Sequence, residues 1–289
     1  MNRIFKKCFG VNAWTVGYRN IPQVDDLMET PKQYSYIKTR EWIYTADPFL
    51  FSWEGDMYLF VEWMNRFRGI GEIAVSKYKR NGKWGAFHKV LTEEFHLSYP
   101  NVFCVGEDVY MIPETGSVQE IRLYKCVTFP QKWELEKVLL KGGKYVDTSI
   151  LIQDDSIFIF AFNQDAGCSQ LFIMDKQTKT LEAVPEARLM NERPGGNVFW
   201  RNDKYVRPIQ NGERYYGESL FWVEGNFNTE ERIIGEFTVK DILKKPKRIT
   251  GMHTFNRCGC LEVIDIKYER YICSKPFCKM WHKLKKMRG

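Results

Sequence analysis

Short apolar runs separated by polar turns recur along this chain roughly every 50 residues. The first unit reads Ala46-Asp47-Pro48-Phe49-Leu50-Phe51, then Gly55-Asp56-Met57-Tyr58-Leu59-Phe60. It returns as Tyr99-Pro100-Asn101-Val102-Phe103 with 106–111, as Asp147-Thr148-Ser149-Ile150-Leu151 with 154–160, and as Arg193-Pro194-Gly195-Gly196-Asn197-Val198-Phe199 with 201–206. A degenerate fifth unit starts at Gly251-Met252-His253-Thr254-Phe255. Each unit is a polar opening, a short apolar strand, an acidic or glycine turn and a second apolar strand. Strand-built units at this period predict propeller blades, so the expected fold is an all-β, five-bladed β-propeller with a short basic helix after it. Innermost strands line a central channel. The polar openings of all five units therefore converge on one axial pocket.

The remaining pattern assigns a propeller to residues 1–273, with blades at about 45–92, 98–141, 145–185, 192–237 and 250–273. The last blade is short of strands, and the run 11–19 ahead of the first repeat is expected to complete it and close the ring. Residues 20–40 read as a polar connection. In blade one the outer strands are 72–76 and 85–91, joined by the hairpin signal Arg80-Asn81-Gly82-Lys83. Blade two adds 121–125 and 133–139, and blade three adds 170–174 before a polar turn at 175–178. The link 241–246 reads as a helical turn ended by Pro246.

Composition narrows the partners. Hydrophobic residues make up 44% of 289, ample for a sizeable core, and the continuous repeat argues for one domain rather than two. Aromatics reach 15%, which suits sheets packed face to face and also rings that stack on sugar faces. The net charge of +7 favours anionic partners. No nucleic-acid-binding motif is present, so acidic lipid, a nucleotide-sugar or an acidic glycan are the expected classes. Residues 1–7 lack the apolar stretch of a secretion leader and no run is long enough to span a membrane. The eight cysteines then read as free thiols of a cytoplasmic protein. Cys258, Cys260, Cys273, Cys278, His253 and His282 match no zinc-finger spacing. Cys258 and Cys260 are expected on one strand face as small buried residues. There is no Walker loop and no strand-to-helix GxGxxG. The sequence requires no cofactor or catalytic metal, although acids facing the axis leave a divalent cation open.

The tail at 274–289 breaks the pattern. Phe277, Met280, Trp281, Leu284 and Met287 share one face at helical spacing, the rest is rich in lysine, and no acid is present. Two readings stay open: a helix lying on an anionic membrane surface, which makes the protein peripheral to the inner face of the membrane, or a helix packed on the propeller rim with a solvated basic face.

Several ordered phrases carry a resemblance. They are Ala46-Asp47-Pro48-Phe49-Leu50-Phe51 with Tyr58-Leu59-Phe60-Val61-Glu62, His96-Leu97-Ser98-Tyr99-Pro100, and Met111-Ile112-Pro113-Glu114. Phe129-Pro130 with Trp133, Arg207-Pro208-Ile209-Gln210 with Tyr216-Gly217, and Gly251-Met252-His253-Thr254-Phe255-Asn256 complete the set. Over roughly residues 12–257 the chain resembles the N-terminal domain of glucosamine inositolphosphorylceramide transferases and related stand-alone proteins of bacterial capsule and lipopolysaccharide clusters. More distantly it is similar to the five-bladed propellers of arabinanases, invertases and levansucrases.

Asp47, Glu62, Glu114 and Asp147 all lie on predicted first or second strands. Transfer at an anomeric carbon needs one carboxylate as nucleophile or base and another as acid. The furanosidase resemblance implies Asp47 as nucleophile or base and Asp147 as the acid that orients and tunes. Glu62 and Glu114 both remain candidates for the proton donor. Those hydrolases take their acid from a later blade, whereas blade four here opens with Arg193-Pro194-Gly195-Gly196, a departure from simple hydrolysis. Arg193 and Arg207, with His96 and His253, add cationic groups that suit a phosphate-activated donor. Tyr216 and Asn256 complete the expected substrate contacts. The expectation is a glycosyltransferase-like propeller of surface-polysaccharide synthesis, taking an activated sugar donor, furanosyl in one form, and a glycan acceptor. Its rivals are a non-catalytic glycan-binding partner of a transferase and a furanosidase-type hydrolase.

Overall fold

A computed structural model describes residues 7–22, 27–153, 156–201, 203–227 and 229–288. The turn at Asp154-Asp155, Asn202 of the fourth repeat, positions 23–26 of the connection and residues 1–6 lie outside the described residues. Four antiparallel sheets follow the chain in order. Blade one holds Ile43–Trp53, Asp56–Asn65, Gly71–Lys77 and His88–Leu91. Blade two holds Ser98–Val105, Asp108–Glu114, Glu120–Thr128 and Lys132–Lys141. Blade three holds Tyr145–Gln153, Ser156–Asn163, Cys168–Asp175 and Leu181–Ala183. Blade four holds Phe199–Arg201, Lys204–Asn211, Ser219–Gly225 and Arg232–Phe237.

Blade five is built from both ends of the propeller. Ile249–Gly251 and Phe255–Cys258 pair with Leu261–Tyr271, which pairs with Gly10–Asn20, and Ser35–Tyr36 forms the outer edge. Gly10 lies opposite Tyr271 and the register runs unbroken to Asn20 opposite Leu261. This ladder closes the ring, so opening the propeller requires breaking it along its full length.

The inner strands read as continuous apolar runs because each blade is covered on both faces by its neighbours. Leu59, Phe60 and Val61 are consecutive and all fully buried. Phe60 packs with Met111, Tyr124 and Trp133 between blades one and two, while Leu59 and Val61 pack with Val16 and Val263 between blades one and five. Each other blade junction carries a similar cluster.

Outer elements depart from expectation where local hydrogen bonds compete. The strand expected at 85–91 is only His88–Leu91, because Gly85 is drawn into a turn, its amide donating to Lys77 and its carbonyl accepting from Ser76 Oγ. The helical turn expected at 241–246 lies earlier, at Val239–Asp241, where Thr238 and Asp241 form a reciprocal capping box. Ile242–Leu243 then pairs in parallel with Lys32–Gln33, giving the polar connection a strand of its own. Cys260 is exposed in the turn after Phe255–Cys258 and Cys258 is only half-buried, so the expected pair of buried cysteines on one strand face does not form.

One irregularity repeats and sets up the site. The inner strands of blades one, two and three each carry a one-residue bulge, between Ala46 and Phe49, Ser98 and Asn101, and Val146 and Ser149. The residue after the first of each pair is left-handed: Asp47 at φ 48°, Tyr99 at φ 48° and Asp147 at φ 51°. A non-glycine residue in this region costs on the order of 1 kcal/mol or more, which the surrounding sheet must offset. Bulges re-aim side chains beside active sites, and here they turn Asp47 and Asp147 into the axial pocket.

Candidate active site

The axial cavity has a volume of about 230 Å³ and is lined by Trp14, Tyr44, Asp47, Glu62, His96, Ser98, Glu114, Asp147, Arg193, Tyr216 and His253. A larger cleft of about 700 Å³ lies between blades five and one, lined by Trp42, Trp63, Trp84 and Lys38 among others. It contains no carboxylate, so volume alone does not select the site.

The acids arrive by symmetry. Glu62 pairs with Ala46 on the strand beside the first bulge, and Glu114 pairs with Ser98 at the equivalent place in blade two. Asp47 and Asp147 are the bulge residues of blades one and three. Burial pushes the Asp47 carboxyl up to about 6; His253 pulls it down and Asp265 pushes it up again. Burial and then the charge of Asp147 raise Glu114 to about 8. Burial, followed by Asp47 and Glu114, holds Glu62 well above the usual carboxylate range. Like charges gathered in a poorly solvated pocket cannot all ionise, and this separates proton donors from acceptors.

Asp47 is held from several sides. Its Oδ1 accepts from Thr254 Oγ1 at 2.9 Å and its Oδ2 from the Tyr99 amide at 3.2 Å. Its own amide donates to Asp265 Oδ2 at 3.1 Å. Asp265 Oδ1 also accepts from the amides of His253 and Thr254, both at 3.0 Å. His253 Nδ1 stands 2.6 Å from Asp265 Oδ2, and its Nε2 is 3.6 Å from Asp47 Oδ1. Burial opposes a charge on His253, but Asp265 and Asp47 outweigh it and raise its pKa. One face of the His253 ring is covered by Trp14, stacked at 4.0 Å between centroids.

Opposite, Arg193 Nε donates to Asp147 Oδ2 at 2.5 Å, and its Nη2 lies 3.7 Å from Glu114 Oε2. Burial works against this charge and Asp147 more than offsets it, so Arg193 is firmly cationic. Its guanidinium sits 5.4 Å from the Tyr216 ring centroid. Gln210 Nε2 donates to Asp147 Oδ2 at 2.8 Å and fixes that carboxylate from behind. His96 Nε2 lies 3.6 Å from Glu62 Oε1, its Nδ1 accepts from the Gly71 amide, and burial lowers its pKa toward the neutral ring.

Asp47, Glu62, Glu114, Asp147, His96, Arg193, Tyr216 and His253 are thus brought together. Two expected residues are not. Arg207 is fully buried inside blade four, its Nε and Nη2 forked onto Glu231 at 2.6 and 2.7 Å, and its guanidinium over Phe160. It is a structural ion pair and no phosphate ligand. Asn256 is also fully buried, donating to the Pro48 carbonyl and accepting from the Asn197 amide, so it ties blades one, four and five together beneath the pocket. Sequence reasoning missed Asp265, Thr254, Trp14 and Gln210. Asp265 left one signal, an acid within the apolar run Val263-Ile264-Asp265-Ile266.

Among the described residues, the one group spaced to hold a metal is Asp47, His253 and Asp265, whose ligand atoms lie within 4.8 Å of one another. A cation there would have to displace the short His253–Asp265 contact. The cysteines considered for zinc are dispersed: His282 and Cys278 belong to the helix Lys275–Arg288, while His253 sits in the pocket.

A family model described as "Glucosamine inositolphosphorylceramide transferase 1, N-terminal" matches residues 38–274. The glucosamine inositolphosphorylceramide transferase 1 of Arabidopsis thaliana is 34% identical over 175 residues, covering 60% of this chain and 21% of that protein. That of Oryza sativa subsp. indica is 36% identical over 119 residues, 41% of this chain and 16% of the relative. The chain therefore spans about a fifth or less of these relatives. Among solved structures, RS223-Beta-xylosidase superposes with a TM-score of 0.58 at 11% identity, covering 79% of this chain and 92% of that one. A family 117 glycoside hydrolase from Zobellia galactanivorans gives 0.55 at 11% identity over 88% and 90%. At such identity these two support the propeller fold alone. The family match spans most of the chain, and the chain belongs to the family of glucosamine inositolphosphorylceramide transferase 1 N-terminal domains.

Proposed function

We propose that the axial pocket transfers a sugar from a phosphate-activated donor to a glycan acceptor. The observation that carries this reading is the convergence of Asp47, Glu62, Glu114 and Asp147 with the cation Arg193 on one small cavity. The cavity has room for about one sugar ring, and Trp14 and Tyr216 supply aromatic walls. Asp47, raised only to about 6, is ionised at neutral pH and takes the proton of the acceptor hydroxyl as it attacks the anomeric carbon. Glu114, raised to about 8, still holds its proton at neutral pH and donates it to the departing phosphate oxygen as the anomeric C–O bond breaks. Arg193 lies beside Glu114 and stabilises the charge on that leaving group, while Asp147 and Gln210 hold Arg193 in place. The proton lost at Glu114 matches the one gained at Asp47. A furanosyl donor, and a place in capsule or lipopolysaccharide assembly, are the finer form of this proposal. The furanosyl donor rests on the resemblance of the Ala-Asp-Pro opening to furanosidase propellers, and the place in assembly on the resemblance to stand-alone proteins of capsule and lipopolysaccharide clusters.

The test is product formation with a panel of nucleotide-sugars and sugar 1-phosphates. Asp47→Asn is expected to cut turnover by about 10²–10⁴-fold with an unchanged melting temperature. Glu114→Gln is expected to lose turnover with phosphate donors and to regain it with a glycosyl fluoride, whose leaving group needs no proton. Turnover that survives Asp47→Asn would end the mechanism. A melting shift with glycans and no product in any arm would leave a binding module, and free sugar as the only product would make it a hydrolase.

A further inference from the structure

The helix Lys275–Arg288 is fastened to the propeller by the side opposite its most apolar face. Cys278 is buried, and His282 Nε2 lies 2.7 Å from the Arg66 carbonyl. Lys275 Nζ donates to the Lys7 carbonyl at 2.9 Å, and Glu41 caps the preceding amides of Cys273 and Ser274. Facing away are Phe277, Met280, Trp281, Leu284 and Met287, between 44% and 73% exposed. Among the described residues no surface covers this stripe, so the packed-rim reading of the sequence holds only for the other side. By helical periodicity Lys283 and Lys285, both exposed, border the stripe on either side. The helix carries six basic residues and no acid. At 14 residues it is too short to cross a bilayer, and no helix among the described residues qualifies as a span. An apolar stripe with lysines on both flanks fits the headgroup boundary of an anionic bilayer, where the rings and thioethers enter the acyl region and the ammonium groups meet lipid phosphates. A purely apolar protein groove would match the apolar face but leave the bordering cations without counter-charges.

The position of the helix gives this surface a purpose. His282 lies against Gly69, and a Cβ added at Gly69 would come within 2.7 Å of its ring. Two residues on, a Cβ at Gly71 would meet Glu62 Oε1 at 2.9 Å and the His96 ring at 3.0 Å. Loop 66–70 therefore carries the helix on one side and closes on the axial pocket on the other. Tyr44 lines both the pocket and the groove beneath the helix.

We propose that the helix Lys275–Arg288 seats the mouth of the axial pocket on an anionic bilayer. The test is flotation of the full chain with phosphatidylcholine vesicles and with vesicles containing about one-third phosphatidylglycerol. Binding to the phosphatidylglycerol vesicles is expected, falling at least tenfold in 0.5 M salt or on plain phosphatidylcholine. The double variant Trp281→Asp with Leu284→Asp is expected to lose it at least tenfold while melting as the wild type does. Lys283→Glu with Lys285→Glu provides a second variant with the same expected loss. Asp47→Asn should float like the wild type, so vesicle binding and turnover fail separately. No flotation with phosphatidylglycerol, flotation indifferent to both double variants, or a dimer that depends on Trp281 and replaces flotation would each overturn the proposal.

Discussion

Arg193 and Arg207 read alike in the sequence, each a cation in a blade-four phrase, yet they serve opposite ends. Arg207 is sealed inside the blade, forked onto Glu231 and stacked over Phe160. Arg193 stands at the pocket, partly exposed, bound through one nitrogen to Asp147 and facing Glu114. The acids divide in the same way. Glu262 is buried against Arg19, Lys32, Arg257 and Tyr34, and although burial alone would raise it, these partners hold it down to about 2. Glu62 and Glu114 are pushed upward by burial first, and then by neighbours that are mostly other acids. A buried charge with its full complement of partners holds the ring together. Buried charges that outnumber their partners store protonation states for chemistry.

The comparison breaks most sharply at the two arginines. Glu231→Gln leaves Arg207 charged and uncompensated in the blade interior, with an expected cost of about 3–5 kcal/mol by urea denaturation. Asp147→Asn unpairs Arg193, whose guanidinium still reaches water, and should cost clearly less than the Glu231 variant while depressing turnover. Equal destabilisation by the two variants would mean that both arginines are structural.

Acid titration sharpens the second half. Glu262 has its folded pKa depressed to about 2 against an ordinary 4.5, so its contribution to stability is complete above about pH 4.5. That contribution drains away as pH falls toward 2 and amounts to about 3 kcal/mol. Glu262→Gln should flatten the acid limb of a plot of stability against pH between 4.5 and 2. An acid limb unchanged by the substitution would show that the cluster does not favour the carboxylate.

How far this division was legible follows from where each signal lies. The blades were readable because their inner strands are apolar on both faces and recur. The pocket acids were readable because a polar residue opening such a strand has to face the axis. Asp265 was hidden because its role is a contact between the closing blade and Asp47, made only once the ring is shut. Arg207 was misread because its neighbours Pro208, Ile209 and Gln210 look alike whether the side chain points to the axis or to blade three. The face of the tail helix that docks depends on Gly69 and Arg66 in blade one, far away in sequence, so periodicity marked the apolar stripe but could not say which way it turned.

The remaining effect has the opposite sign and probes the pocket directly. Glu114 binds its proton more tightly in the folded chain, near pH 8, than in the unfolded chain, near 4.5. Its ionisation therefore costs folded-state stability progressively as pH rises through that interval. Removing the charge while keeping the shape, as Glu114→Gln does, should leave stability unchanged at pH 4. At pH 9 it should raise stability, by up to about 5 kcal/mol, in the same urea assay. The variant that abolishes turnover with phosphate donors would then be the more stable protein in alkali. A Glu114→Gln chain less stable than wild type at both pH values would place Glu114 with Glu262, as a carboxylate whose hydrogen bonds hold the ring.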